Sequence, residues 1–298
     1  MEKLASELNG MCDPQPFHTG WYLKNLRTGE ACHRSGDTVV PSGSTRKVAF
    51  LMALLKGVNE GRFRLDQPVV IEEKYQNNNS GTFQHLSPGF TITLRDAAYM
   101  MIIVSDNTCT GTIVDMVGLV SINALCRSIG MKGTAHRDSI PPFCAGFIPD
   151  FIKVRGEVPV VGRDHSLEEV TTTTPTDQGI LLDLILQGTE DAGAAARLGC
   201  TPELCRLGIE ILSRQKLSWR LPALLPYGTK VAHKTGTGRA GRNNNDVGIV
   251  FQESRPLFIL TVFTEHVPLE MPDGMPGYTI AGLHIARLCR TCWDAIKE

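Results

Sequence analysis

The chain carries almost no excess charge of either sign. Thirty Lys and Arg against 31 Asp and Glu leave a formal net charge of -1. No run of basic residues interleaved with aromatics occurs, which excludes the footprint of a nucleic-acid surface. No apolar stretch reaches the roughly 18 residues that a membrane-spanning helix needs. The longest apolar run, residues 48–55, is closed by Lys56. The start, Met1-Glu2-Lys3-Leu4-Ala5-Ser6-Glu7, has neither a basic segment leading into an apolar one nor a small-residue cleavage site. The expectation is therefore a cytoplasmic protein, or an exported one already trimmed. Nine cysteines, an odd number scattered from Cys12 to Cys292, make no disulfide framework and read as reduced thiols. Cys289-x-x-Cys292 has no second pair or histidine cluster at zinc spacing, so no metal and no cofactor is expected. Internal repeats and low-complexity linkers are also lacking. What is present is 298 residues, 42% hydrophobic and 20% charged, enough to bury a substantial core in one or two domains.

Periodicity then sketches the elements. Residues 2–9 read as a short helix, and residues 21–26, the turn Arg27-Thr28-Gly29-Glu30 and residues 31–34 read as a hairpin. Apolar positions recur at helical spacing over 44–58 and 94–104. Residues 176–217 read as mostly helical with a Gly-rich break at 188–199. Strand-like runs follow at 229–233, 246–251 and 257–263, and residues 281–296 read as a closing amphipathic helix. Strands and helices at both ends around an all-helical middle predict that the chain ends share one sheet. Gly236-Thr237-Gly238-Arg239-Ala240-Gly241 matches a dinucleotide fingerprint. That fingerprint needs a helix immediately afterwards, and here polar Arg242-Asn243-Asn244-Asn245 leads into another strand, so a hairpin connection is expected instead.

Three short motifs carry chemistry: Ser44-Thr45-Arg46-Lys47, Ser105-Asp106-Asn107 and Lys234-Thr235-Gly236. S-x-x-K turns up about once by accident in a chain this long, and Ser213-Arg214-Gln215-Lys216 is such a decoy; all three motifs in order are not accidental. A serine hydroxyl is a poor nucleophile until a base takes its proton, and a lysine three residues on along a helix shares its face, so Lys47 is within reach of Ser44. A serine at a helix start also lies among free backbone N–H groups that favour an anionic intermediate. Ser105 offers a proton relay, and the Asn107 amide a holder for a substrate carbonyl or for the lysine. Lys234 at a strand end, with the hydroxyls of Thr235 and Thr237 beside it, suits a substrate carboxylate. Alone, each has a plainer reading: Ser44 as helix cap, Ser-Asp-Asn as turn, Lys234 as exposed strand lysine.

With these motifs the chain resembles the class A β-lactamase family. "RTGEACHRSGDTVVPSGSTRK" is similar to that family's first hairpin running into the nucleophile, and "LRDAAYMMIIVSDNTCTG" to its S-D-N helix. "ILSRQKLSWRLPALLPYGTKVAHKTGTG" and "NNNDVGIVF" resemble the approach to K-T-G and the strand after it. About three quarters of the chain fits the pattern. The resemblance implies an α+β fold: an antiparallel sheet flanked by N- and C-terminal helices from residues 1–40 and 218–298, with an inserted all-helical domain at 41–217 that carries a long omega-like loop at 140–175. It implies Ser44 as acylated nucleophile, Lys47 as its base or base partner and Ser105 as proton shuttle. It further implies Asn107, Lys234, Thr235, Gly236 and Thr237 as substrate holders, and an oxyanion hole from the Ser44 and Thr237 N–H groups.

The departure from the family falls between Ser139 and Pro175. The family's loop there carries a glutamate that activates the deacylating water, an asparagine four residues later, and an Arg-Asp-Thr-Thr-Thr-Pro exit. Here the exit survives as Thr172-Thr173-Thr174-Pro175, with Thr171 in the aspartate's place. Arg155-Gly156-Glu157 imitates the loop's start and makes Glu157 the candidate base, although Val161 takes the asparagine's place. Another register, from Thr134, puts Ile140 at the glutamate position; Asp164, Glu168 and Glu169 are further candidates. The resulting expectation is a serine hydrolase that opens a lactam, lactone, amide or ester of a small, carboxylate-bearing substrate through a Ser44 acyl-enzyme, without nucleic acid or membrane as partner. Two alternatives stand: a cytoplasmic catabolic amidase or lactonase without antibiotic activity, and a penicillin-binding protein or acyl sensor that does not turn over.

Overall fold

The computed structural model describes residues 1–76, 78, 80–137, 171–238 and 241–297. In chain order these form α1 (Glu2–Cys12), β1 (His18–Asn25), β2 (Ala31–Arg34), β3 (Val40–Pro41), a 3₁₀ turn (Gly43–Arg46), α2 (Lys47–Asn59), β4 (Pro68–Val70) and β5 (Thr91–Thr93). Then come α3 (Leu94–Ile103), α4 (Asn107–Val117), α5 (Leu119–Ser128), β6 (Thr172–Thr173), α6 (Pro175–Gln187), α7 (Ala192–Arg197) and α8 (Pro202–Ser213). The chain closes with β7 (Val231–Gly238), β8 (Asn243–Gln252), β9 (Arg255–Glu265) and α9 (Gly277–Ile296).

Five strands make one antiparallel sheet in the order β2-β1-β9-β8-β7, so the two chain ends do share a sheet. Side chains alternate between its faces with the strand period of two. Phe258, Leu260 and Val262 of β9 join Trp21 and Leu23 of β1 against Leu4 and Leu8 of α1 and Ile285, Leu288 and Trp293 of α9. Their neighbours Ile259 and Phe263, with Val247 and Ile249 of β8, face the helical layer. At the centre of that layer, α2 is apolar on every side: Val48 to Leu55 are all buried, enclosed by α3, α4, α5 and α8. A helix that is apolar all round is stable only as a core helix.

Three elements differ from the expectation. The helix expected over 44–58 opens as a 3₁₀ turn, because Gly43 takes a left-handed φ of 52° and Thr45 Oγ1 donates to Ser42 O at 2.7 Å, tightening the first turn. The break expected at 188–199 contains α7, where the Asp191 side chain accepts from Gly193 N and caps the helix-favouring Ala-Gly-Ala-Ala-Ala segment. The middle is not all helical, since β3 pairs with β6 and β4 with β5. The β3–β6 pair joins the approach to Ser44 to the threonine run at 171–174.

Candidate active site

Ser44 sits in the 3₁₀ turn where the helical layer meets the free edge of β7. The approach is backbone to backbone, and two glycines permit it. A β-carbon on Gly43 would lie 3.1 Å from Thr237 N, and one on Gly236 would lie 2.9 Å from Ser42 O and 3.1 Å from Thr45 N. Asn245 of β8 ties down the same segment, its Nδ2 donating to Pro41 O at 3.2 Å and Ser42 O at 3.3 Å. The opposite side is held by Ser42, whose N–H donates to Thr171 O at 3.0 Å. The Ser44 side chain is half-buried and its hydroxyl makes no recorded hydrogen bond among the described residues.

Ser105 stands between the end of α3 and the start of α4 in a left-handed conformation, φ 58°, which non-glycine residues adopt at a cost. Asp106 over-determines that conformation. Its carboxylate caps α4 by accepting from Cys109 N at 3.0 Å and also accepts from Thr82 N at 2.7 Å and Phe83 N at 2.8 Å. Ser80 adds a donor to Ser105 O at 3.1 Å and, through its carbonyl, accepts from Asn107 N at 3.0 Å. The hydroxyl thus faces two buried amines: Lys47 Nζ at 3.1 Å and Lys234 Nζ at 3.0 Å.

Both amines are fully buried, and burial lowers both. Lys47 is pushed well below the usual lysine value by desolvation and then by the charge of Lys234, with Arg46 adding to the effect and Asp106 opposing it. Lys234 is lowered to about 7 by desolvation, which the charge of Asp246 partly offsets. Lys47 Nζ also donates to Ser105 O and to Asn107 Oδ1, both at 2.7 Å. Ser105 in turn accepts from Lys234, which also donates to Thr235 O at 2.8 Å. The arrangement is a short hydrogen-bonded wire of two buried amines joined through the Ser105 hydroxyl.

Sequence reading overlooked Arg220, the buried cation behind β7. Its Nη1 donates to Gly236 O at 2.6 Å and Asn245 O at 2.5 Å, and its Nη2 to Thr237 Oγ1 at 2.5 Å and Asn244 Oδ1 at 3.0 Å. Burial lowers it to about 10 against the opposing effect of Asp246. Sequence reading was also silent on Asp246, whose carboxylate contacts His233 Nδ1 at 3.0 Å and accepts from Leu221 N at 3.1 Å. The available signal was the run Asn243-Asn244-Asn245-Asp246 in a strand buried along nearly its whole length, where polar side chains need internal partners.

The structure brings Ser44, Lys47, Ser105, Asn107 and the Lys234–Thr237 edge into one cleft. Thr235 is buried and Thr237 exposed, and the Asn107 amide nitrogen has no recorded partner among the described residues. Ser213 is remote from the cleft, donating to Ile209 O within α8. Glu157, Ile140, Val161, Asp164, Glu168 and Glu169 lie outside the described residues. Thr171, in the aspartate's place, accepts from Arg46 Nη1 at 2.5 Å, which links the turn that holds Ser44 to the threonine run at 171–174. Among the described residues no cluster of three His, Cys, Asp or Glu side chains could hold a metal.

The profile of the β-lactamase enzyme family matches residues 3–296. The chain belongs to that family. The extended-spectrum β-lactamase PER-1 of Pseudomonas aeruginosa is 25% identical over 236 residues, covering 74% of this chain and 66% of that enzyme, so the match spans just under two thirds of the relative's length. The β-lactamase of Sphaerobacter thermophilus has the same fold, with a TM-score of 0.78, 23% identity, and coverage of 99% of this chain and 97% of the other. A mutant of PBP-A, solved as an acyl-enzyme complex with penicillin G, gives a TM-score of 0.77 at 25% identity, over 99% of this chain and 96% of that one. As a family member the protein has the α+β β-lactamase fold, an antiparallel sheet with its helical layer.

Proposed function

We propose that this β-lactamase-family protein is a serine hydrolase that opens a small carboxylate-bearing lactam, lactone, amide or ester through an acyl intermediate on Ser44. The observation that carries the reading is the buried Lys47–Ser105–Lys234 wire beside the Ser44 turn. Lys47, whose basicity burial and the charge of Lys234 lower, takes the Ser44 proton directly or through Ser105 as the hydroxyl attacks the substrate carbonyl. The developing oxyanion meets the N–H groups of Ser44 and Thr237, whose backbones Gly43 and Gly236 bring together. Ser105 then passes a proton to the leaving nitrogen or oxygen and is reprotonated from the amines. Lys234, with Thr235 and Thr237, holds the substrate carboxylate, and Asn107 offers its amide nitrogen to a substrate carbonyl. Glu157 is proposed as the base for the water that releases the acyl group.

A second reading, an acyl-binding protein that does not turn over, is favoured by the likeness to PBP-A, solved as a penicillin G acyl-enzyme. Steady-state hydrolysis of penicillin G and of small lactones separates the two. Multiple turnovers that vanish in Ser44→Ala support the hydrolase. Consumption of one equivalent of substrate, retained as a covalent adduct with no product released, supports the acyl-binding protein.

A further inference from the structure

Trp219 and Tyr278 are large aromatic side chains left 54% and 57% exposed immediately outside buried, hydrogen-bonded residues. Trp219 precedes Arg220, whose guanidinium holds Gly236 O and Thr237 Oγ1, so this segment sits at the Thr237 end of β7. Gly282 of α9 supports both residues. A β-carbon there would lie 3.5 Å from Trp219 O, 3.8 Å from Arg220 Cγ and 3.9 Å from Trp219 Cδ1. Tyr278 lies four residues before Gly282 and therefore on the same face of α9. Its Cβ is 3.6 Å from where a β-carbon on Gly241 would stand, at the base of the β7–β8 connection. Trp219, through the adjoining Arg220 that bonds Thr237 Oγ1, and Tyr278, beside Gly241, therefore both lie toward the Thr237 end of β7. Neither the indole N–H nor the phenol O–H has a recorded hydrogen-bond partner among the described residues.

We propose that Trp219 and Tyr278 form an aromatic wall at the Thr237 end of the cleft, which takes a flat apolar substituent next to the substrate carboxylate. The preferred substrates are then aryl- or heteroaryl-bearing carboxylates. The inference rests on the reading of Lys234 to Thr237 as carboxylate holders. The physical case is that two aromatic faces offer a large apolar contact at low entropic cost. The buried cations Lys234 and Arg220 lie alongside, so a ring carrying a carboxylate satisfies both features at once.

Tryptophan fluorescence tests the wall without any need for turnover, because Trp21 is fully buried and Trp293 is 8% exposed, leaving Trp219 as the exposed indole. Benzoate and acetate are titrated into the Ser44→Ala protein, where acylation cannot occur. Benzoate is expected to change the emission saturably, acetate to leave it unchanged, and Trp219→Phe to abolish the benzoate signal. By ligand-observed NMR, Trp219→Ala and Tyr278→Ala should each weaken benzoate binding about three- to tenfold, the size of one aromatic contact, with the circular dichroism of the folded protein retained. Benzoate binding equal to that of acetate, or unchanged in both alanine variants, overturns the wall even if Ser44 is acylated normally by a lactam. Benzoate binding as expected in a protein that no lactam, lactone or ester acylates overturns the hydrolase reading and leaves the wall standing.

Discussion

Ser105 concentrates the chemistry because one hydroxyl serves two buried amines from a strained backbone. Its left-handed φ makes a specific demand on substitutions. Ser105→Gly and Ser105→Ala both remove the hydroxyl, yet glycine relieves the strain and alanine keeps it. The glycine variant should be the more stable of the two by about 1 kcal/mol in urea denaturation, with activity equally reduced in both. Equal stability would place the strain elsewhere. Lys234 makes a prediction about pH. Its folded-state value is lowered from 10.5 to about 7, so it is charged below that pH and neutral above it. Carboxylate binding should therefore weaken as pH rises through about 7, seen as a rising KM. Lys234→Arg, charged throughout, should flatten the profile. A wild-type KM that is level from pH 6 to 9 contradicts the assignment. The three motifs were legible in the sequence because each is a local string whose residue types are unusual together. Arg220 was not legible, because its four partners come from residues 16 to 25 positions later in the chain.

At the scale of elements, the decisive contact is the one between the 3₁₀ turn and β7. Gly236 faces backbone atoms that cannot swing aside, so Gly236→Ala must push the turn off the strand. Its kcat should fall at least about tenfold, because a displacement of even one ångström at reacting groups has that effect or more. Unchanged kcat would show that the close approach is not needed. The bond from Arg46 to Thr171 ties the Ser44 turn to the threonine run at 171–174. A double-mutant cycle of Arg46→Gln and Thr171→Val should give a coupling of about 1 kcal/mol in stability, and additive effects would mean that the two do not act together. Helices and strands with clear periods were readable, including α3, α9 and the three C-terminal strands. The 3₁₀ opening of α2 and the short β3–β6 and β4–β5 pairs were not. They depend on partners distant in the chain, and two or three residues carry no period.

Across the whole molecule, the cleft exists because both chain ends build one sheet and the middle of the chain packs against its inner face. That layering follows from composition and pattern, which is why the fold was legible. The loop that should set the fate of an acyl-enzyme departs from the family's pattern, so neither its register nor its base could be read from residue types alone. Acylation of Ser44 is the central claim, and intact-protein mass spectrometry with time tests it most directly, using penicillin G and a panel of small lactones and aryl esters. The account predicts that at least one of these adds its acyl mass to the wild-type protein, that the adduct maps to Ser44, and that it decays as product appears. Absence of any adduct across the panel, or an adduct that persists in Ser44→Ala, would contradict it.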